Sequence, residues 1–165
     1  MNVFVDTNVI VYAHDRVDHA KRERAQALLE AHARDGSLTV STQVLQESYN
    51  ALIRKALVEP ARALFAVEKL AAGRVVGSNA GFVLDALRLS QRFQLSTWDA
   101  LIVQAALAAR CVTLYTEGLQ AGQRFGDLEV VNPFADAAHE PRAAFGVKPA
   151  AKAAAKPPAK RKRLR

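Results

Sequence analysis

Apolar positions along this chain alternate between two spacings, and the switches mark out its elements. Val3, Phe4 and Val5 form a short unbroken apolar run without a turn residue, the pattern of a fully buried strand. The run stops at Asp6, and Val9, Ile10, Tyr12 and Ala13 follow at helical spacing. After a charged stretch over residues 15–24, Ala25, Leu28, Leu29 and Ala33 repeat on one face. They predict a helix over residues 19–34 that Asp35-Gly36 ends. Residues 38–40 read as a strand. Ser41 and Thr42 then offer an N-cap for a helix striped by Val44, Leu45, Leu52, Ile53 and Leu57, with Glu47 in its first two turns. Glu59-Pro60 opens a helix through Ala63, Leu64, Val67 and Leu70 that stops at Gly73; Val75-Val76 is a brief strand. Ser78 begins a helix through Phe82, Leu84, Leu87, Leu89 and Phe93. Ser96-Thr97-Trp98-Asp99 has the spacing of a capping box ahead of Leu101, Ile102, Ala105 and Ala106, in a helix ending near Arg110. Residues 112–116 and 128–131 are the last strands, with a short helix expected between them. Such alternation predicts an α/β fold: a central, mainly parallel sheet layered between helices, α/β/α.

With 165 residues, half of them apolar, the chain suffices for one domain with a single core. No apolar run approaches a membrane span, and the first strand is too short for a signal peptide. The single cysteine, Cys111, precludes an intramolecular disulfide and reads as a small buried hydrophobe. A soluble, cytoplasmic protein is expected. The formal net charge of +7 is unevenly spread: eight of the 23 Lys and Arg lie from Lys148 onward and no acid follows Glu140. Residues 1–142 therefore carry 15 basic against 16 acidic side chains, a charge of −1. The boundary drawn from pattern is a domain over residues 1–134 and an Ala/Lys/Pro-rich tail over 135–165. That tail has no periodic apolar positions and is expected to be disordered. Lys156, Lys160, Arg161, Lys162 and Arg163 would give it a sequence-independent, salt-sensitive hold on RNA; a merely solubilising tail is the plainer reading.

Chemistry enters through acids at strand and helix ends. Asp6 ends a core strand at the edge where open α/β sheets collect ligands, although helix capping alone would also explain it. Asp99 starts a helix that runs about 18 Å along the sheet, and the strand over 112–116 climbs back, so that Glu117 returns to the level of Asp99. Glu47 is placed to face the same pocket. Carboxylates gathered at one edge repel one another, and a hard divalent cation with all-oxygen ligands, Mg2+ or Mn2+, removes that penalty. No Gly-rich phosphate loop, Cys/His zinc spacing or Ser/His triad is present, and the Asp-x-Asp of an aspartyl phosphatase is lacking because position 8 is Asn. Trp98 is read as core, or as packing beside the site, with no chemistry assigned.

Val5-Asp6-Thr7-Asn8-Val9, Glu47 with Tyr49-Asn50, the run from Ser96 through Asp99-Ala100-Leu101-Ile102, and Leu114-Tyr115-Thr116-Glu117 with Val131-Asn132-Pro133-Phe134 together resemble the PIN-domain family. The nearest resemblance is to VapC-type ribonuclease toxins of VapBC toxin–antitoxin systems, and it runs from residue 1 to about 134. The resemblance implies an Mg2+-dependent (or Mn2+-dependent) endoribonuclease that hydrolyses RNA through a metal-activated water. By it, Asp6, Glu47 and Asp99 are catalytic metal ligands and Glu117 a fourth candidate. Thr7, Asn8 and Thr116 brace the site. It further implies an antitoxin partner and a homodimer. In many relatives the last motif is Thr-x-Asp, whereas here that third place is Gly118. A PIN scaffold that binds RNA or a protein without cutting is the alternative this departure keeps open.

Overall fold

The computed structural model describes residues 1–135; the expected tail, with its lysines and arginines, lies outside the described residues. Six strands form one sheet in the order β3-β2-β1-β4-β6-β5. These are β1 (Val3–Val5), β2 (Leu38–Ser41), β3 (Arg74–Val76), β4 (Thr113–Tyr115), β5 (Arg124–Phe125) and β6 (Leu128–Val131). Every pairing is parallel except β5 with β6. The helices are α1 (Thr7–Tyr12), α2 (His19–Arg34), α3 (Thr42–Arg54), α4 (Pro60–Ala71), α5 (Ala80–Phe93) and α6 (Thr97–Ala108).

The chain steps from β1 to β2 to β3 in one direction, then returns past both to pair β4 with β1. Right-handed crossovers accordingly place α1 to α4 on one face and α5 with α6 on the other. Against that second face α6 packs on β2 and β4, with α5 beside it. Phe4, Val5, Val9, Ile10, Val40, Val44, Val103, Leu114, Leu128 and Val130 are all buried, so the strands are apolar on both faces as a parallel sheet requires. Cys111 is buried, as its apolar setting predicts. The strand order reverses between β1 and β4, and the crevice outside their carboxyl ends is where such sheets take ligands.

The capping chemistry read from the sequence is largely in place. Ser41, Glu59 and Ser96 cap α3, α4 and α6, and Gly36 takes the left-handed conformation after α2. The cap of α5 is Asn79, one residue beyond the Ser78 expected. A larger difference lies between β4 and β6, where the expected short helix is absent. Gly122 and Gly126 adopt positive φ there, and Gly126-Asp127 turns β5 back antiparallel onto β6, burying Phe125. Glycines at left-handed positions close a hairpin more readily than they continue a helix.

Candidate metal-dependent nuclease site

At the reversal of strand order, Asp6 leaves the end of β1 and Thr116 leaves the end of β4, and the two are hydrogen-bonded. Asp6 is also the N-cap of α1: its Oδ1 accepts from the Thr7 backbone N–H at 2.6 Å. Its Oδ2 accepts from Asn8 Nδ2 at 2.8 Å and from Thr116 Oγ1 at 2.6 Å. The capping and catalytic-edge readings of Asp6 are therefore compatible. Thr116 is 1% exposed. Its hydroxyl donates to Asp6 and accepts from Asn8 Nδ2 at 3.0 Å and from the Gly118 N–H at 2.9 Å, which uses its full capacity. Asn8 completes the ring by accepting the Glu117 N–H on Oδ1 at 3.3 Å.

The other two acids arrive from opposite layers. Glu47 lies on α3, where Gln43 Nε2 donates to Oε1 at 2.9 Å and Thr7 Oγ1 donates to Oε2 at 3.2 Å. Asp99 lies in the first turn of α6. Its backbone N–H donates to Ser96 Oγ at 3.1 Å, the N-cap half of a capping box, while the carboxylate accepts from the Ser96 hydroxyl at 2.6 Å on Oδ2 in place of the Ser96 backbone N–H. Protein atoms crowd the Asp6 carboxyl although the residue keeps a solvent-facing edge. Burial raises its pKa from 3.8 to about 6 against the pull of the Thr116 and Thr7 hydrogen bonds, and the negative charges of Glu47 and Asp99 add to the rise. Asp6 thus feels both of the other carboxylates.

Among the described residues, no three Asp, Glu, His or Cys side chains stand close enough together to hold a metal as they are. Glu47 and Asp99 are each turned onto local donors, as uncompensated neighbouring carboxylates would be. The donor set still fits a hard divalent cation. Its side-chain donors are all carboxylate oxygens, and an acid whose pKa is raised by burial, with two further acids adding to the rise, lies where positive charge is lacking.

Glu117 does not join this group. Successive side chains leaving a strand point to opposite sides; Thr116 faces Asp6, and the Glu117 carboxylate instead pairs with Lys21 of α2. Lys21 donates to the Tyr12 hydroxyl at 3.0 Å and lies over the rings of Tyr12 and Phe134. A Cβ built at Gly118 would point back toward the site, 3.5 Å from Thr116 Oγ1 and 3.8 Å from Asn8 Nδ2. Lys21 escaped the sequence reading inside its charged run, although it shares a helical face with Ala25 and Leu28. Gln43 escaped too, with only its four-residue spacing from Glu47 as a signal. Trp98 is not core: it is 60% exposed.

The sequence profile of the PIN domain matches residues 3–121. The chain belongs to the PIN domain family. Solved structures of similar fold include Mycobacterium tuberculosis VapC20, a sarcin–ricin-loop-cleaving toxin (20% identity, TM-score 0.56, covering 68% of this chain and 87% of that one). A toxin–antitoxin complex from Klebsiella pneumoniae aligns at 20% identity and TM-score 0.59, over 81% of this chain and 98% of that one. VapBC2 from Rickettsia felis, bound to a DNA fragment from its promoter, aligns at 19% identity and TM-score 0.55, over 79% and 97%. No curated protein sequence matches the chain. Among the described residues of this PIN domain, no helix is long and apolar enough to cross a membrane.

Proposed function

We propose that this PIN domain is a divalent-cation-dependent endoribonuclease of the VapC toxin type. The supporting observation is that Asp6, at the end of β1 beside the β1–β4 reversal, lies within electrostatic reach of Glu47 from α3 and Asp99 from α6. Asp6, Glu47 and Asp99 would hold Mg2+ or Mn2+. An ion of that class, when bound, lowers the pKa of a water and neutralises charge on a phosphodiester. Asp6 is fixed by three donors, so its orientation owes nothing to the ion. Thr7 ties Glu47 to the turn after β1, which couples the two acids in position. Thr116 has no spare hydrogen-bonding capacity, and its role is to position Asp6 rather than to react. Glu117, committed to Lys21, acts outside the ligand set and holds the loop that carries Thr116.

A bacterial cytoplasmic setting, an antitoxin partner and a homodimer belong to the same reading. Two of the structural neighbours are toxin–antitoxin assemblies, and α4 and α5 expose Leu64, Phe65, Val83, Leu84 and Leu87 as apolar surface. The basic residues of the tail would add a nonspecific hold on RNA.

The test compares RNA hydrolysis by wild type, Asp6→Asn and Asp99→Asn with Mg2+ and with EDTA, using DNA of the same sequence as control. Loss of cleavage in both variants and in EDTA is expected; equal activity in all three proteins removes the assignment. Gly118 favours a second reading, a PIN scaffold that binds without cutting. That reading predicts no rise in melting temperature on adding Mn2+.

A further inference from the structure

We propose that Trp98 is the stacking platform for an unpaired base of the RNA substrate, so that the site selects single-stranded or looped segments. The inference rests on the nuclease reading for its choice of ligand, but its observations are separate. Tryptophan normally buries most of its large apolar surface, yet Trp98 is 60% exposed. It is the chain's single tryptophan and immediately precedes Asp99 in the first turn of α6. Adjacent Cα atoms are only about 3.8 Å apart, so the indole leaves the same first turn of α6 that carries Asp99 to the crevice. The two Ser96–Asp99 hydrogen bonds lock the turn that carries it. A ring presented on a fixed backbone loses little freedom when something stacks on it.

The surroundings distinguish a base from a protein as the occupant. Among the described residues no aromatic ring stacks on Trp98. Its sequence neighbours Ser96, Thr97 and Asp99 are polar. The other exposed large apolar side chains stand elsewhere: Leu64 and Phe65 on α4, Val83, Leu84 and Leu87 on α5, Met1 at the N-terminus, Val17 and Leu57 in loops. A protein interface calls for a continuous apolar patch. One aromatic face set among polar groups beside a phosphodiester-cleaving centre suits a nucleobase, whose π-face stacks irrespective of sequence. Bases within a duplex are already stacked on both sides, so only an unpaired base can take this position.

Because the chain has one indole, its fluorescence reports this contact directly. Full-length protein with Ca2+ is titrated with a single-stranded 2′-O-methyl RNA oligonucleotide and with the same sequence as a blunt duplex. Affinities of wild type, Trp98→Ala and Trp98→Phe are measured by anisotropy of the labelled oligonucleotide. The single strand should quench the indole at saturation and the duplex should not. Trp98→Ala should bind the single strand about 5- to 150-fold more weakly, the range for deleting one base–aromatic stack, and Trp98→Phe should recover most of the loss. Unchanged emission at saturation overturns the proposal. Wild-type affinity in Trp98→Ala, no oligonucleotide binding at all, or emission that follows protein concentration instead of oligonucleotide would overturn it too. Trp98→Ala melting at the wild-type temperature shows that a loss of affinity is not a loss of fold. Cleavage by wild type against Asp6→Asn reads the nuclease assignment independently: cleavage without stacking removes this inference alone, and stacking without cleavage removes the nuclease alone.

Discussion

Proton linkage at Asp6 gives a quantitative handle on the crevice without any substrate. In the metal-free fold this carboxyl titrates at about 6 instead of 3.8, first because it is buried and then because Glu47 and Asp99 repel its charge. A raised native pKa means the folded state holds the proton more tightly than the unfolded chain does. Stability from this group is therefore fully present below the unfolded value and is lost as pH rises through 6. At about 1.36 kcal/mol per pKa unit the whole effect is near 3 kcal/mol, of which about 2 kcal/mol falls between pH 4 and 7. The assay is urea or thermal unfolding in EDTA across that range, for wild type and Asp6→Asn. The variant's amide would bring its own N–H groups against the donors Asn8 and Thr116, a penalty that does not vary with pH. Asp35, held below the usual carboxylate range by its Ser37 hydrogen bonds, works with the opposite sign in both proteins and cancels in the difference. Relative to Asp6→Asn, wild type should lose about 2 kcal/mol, or roughly 5–10 °C in Tm, from pH 4 to 7. Saturating Mn2+ at pH 7 should restore a similar amount to wild type alone. Parallel pH profiles for the two proteins would refute the electrostatic account of the site.

Two further perturbations separate the roles of the loop after β4. Lys21→Met strands the Glu117 carboxylate and should cost about 2–3 kcal/mol in urea unfolding, with at least half regained in Lys21→Met/Glu117→Gln; a single variant as stable as wild type would show that the pair does not anchor the loop. Gly118→Asp directs a carboxylate at the crevice from a position whose Cβ meets only ordinary contacts, so Mn2+ affinity by calorimetry should rise about tenfold while the metal-free protein loses stability, and unchanged affinity would refute the inferred direction of residue 118.

The parts of this structure legible in the sequence are those fixed by local chemistry. The limits of α2 coincide with its apolar repeat and its glycine stop, and Ser96 caps α6 through the Asp99 N–H as its spacing predicts. The stretch between β4 and β6 was not legible because its conformation is decided by pairing with β6, a nonlocal partner, and by left-handed backbone at Gly122 and Gly126. Side-chain direction was legible only where strand alternation governs. Alternation supplies the reason for doubting Glu117 as a ligand, but not the identity of its partner, since Lys21 is far away in sequence and close only through packing on Tyr12 and Phe134. Trp98 escaped for the opposite reason. Hydrophobicity makes burial the default for tryptophan, and exposure is visible only once the fold is built.

The same hydrogen bonds that hold the crevice together define how its chemistry is balanced. The Thr116 and Thr7 hydrogen bonds draw the Asp6 pKa down, while enclosure and two neighbouring acids push it up, and the rise wins. A purely structural cap would not need Glu47 and Asp99 within electrostatic reach, since Thr7, Asn8 and Thr116 already satisfy its oxygens. The repulsion destabilises the fold once Asp6 is ionised and is relieved by protonation or by a neighbouring positive charge. Lys21, a buried cation on α2, is paired with Glu117. Among the described residues no ion pair reaches Asp6, Glu47 or Asp99, so the divalent ion proposed above would be their counter-charge.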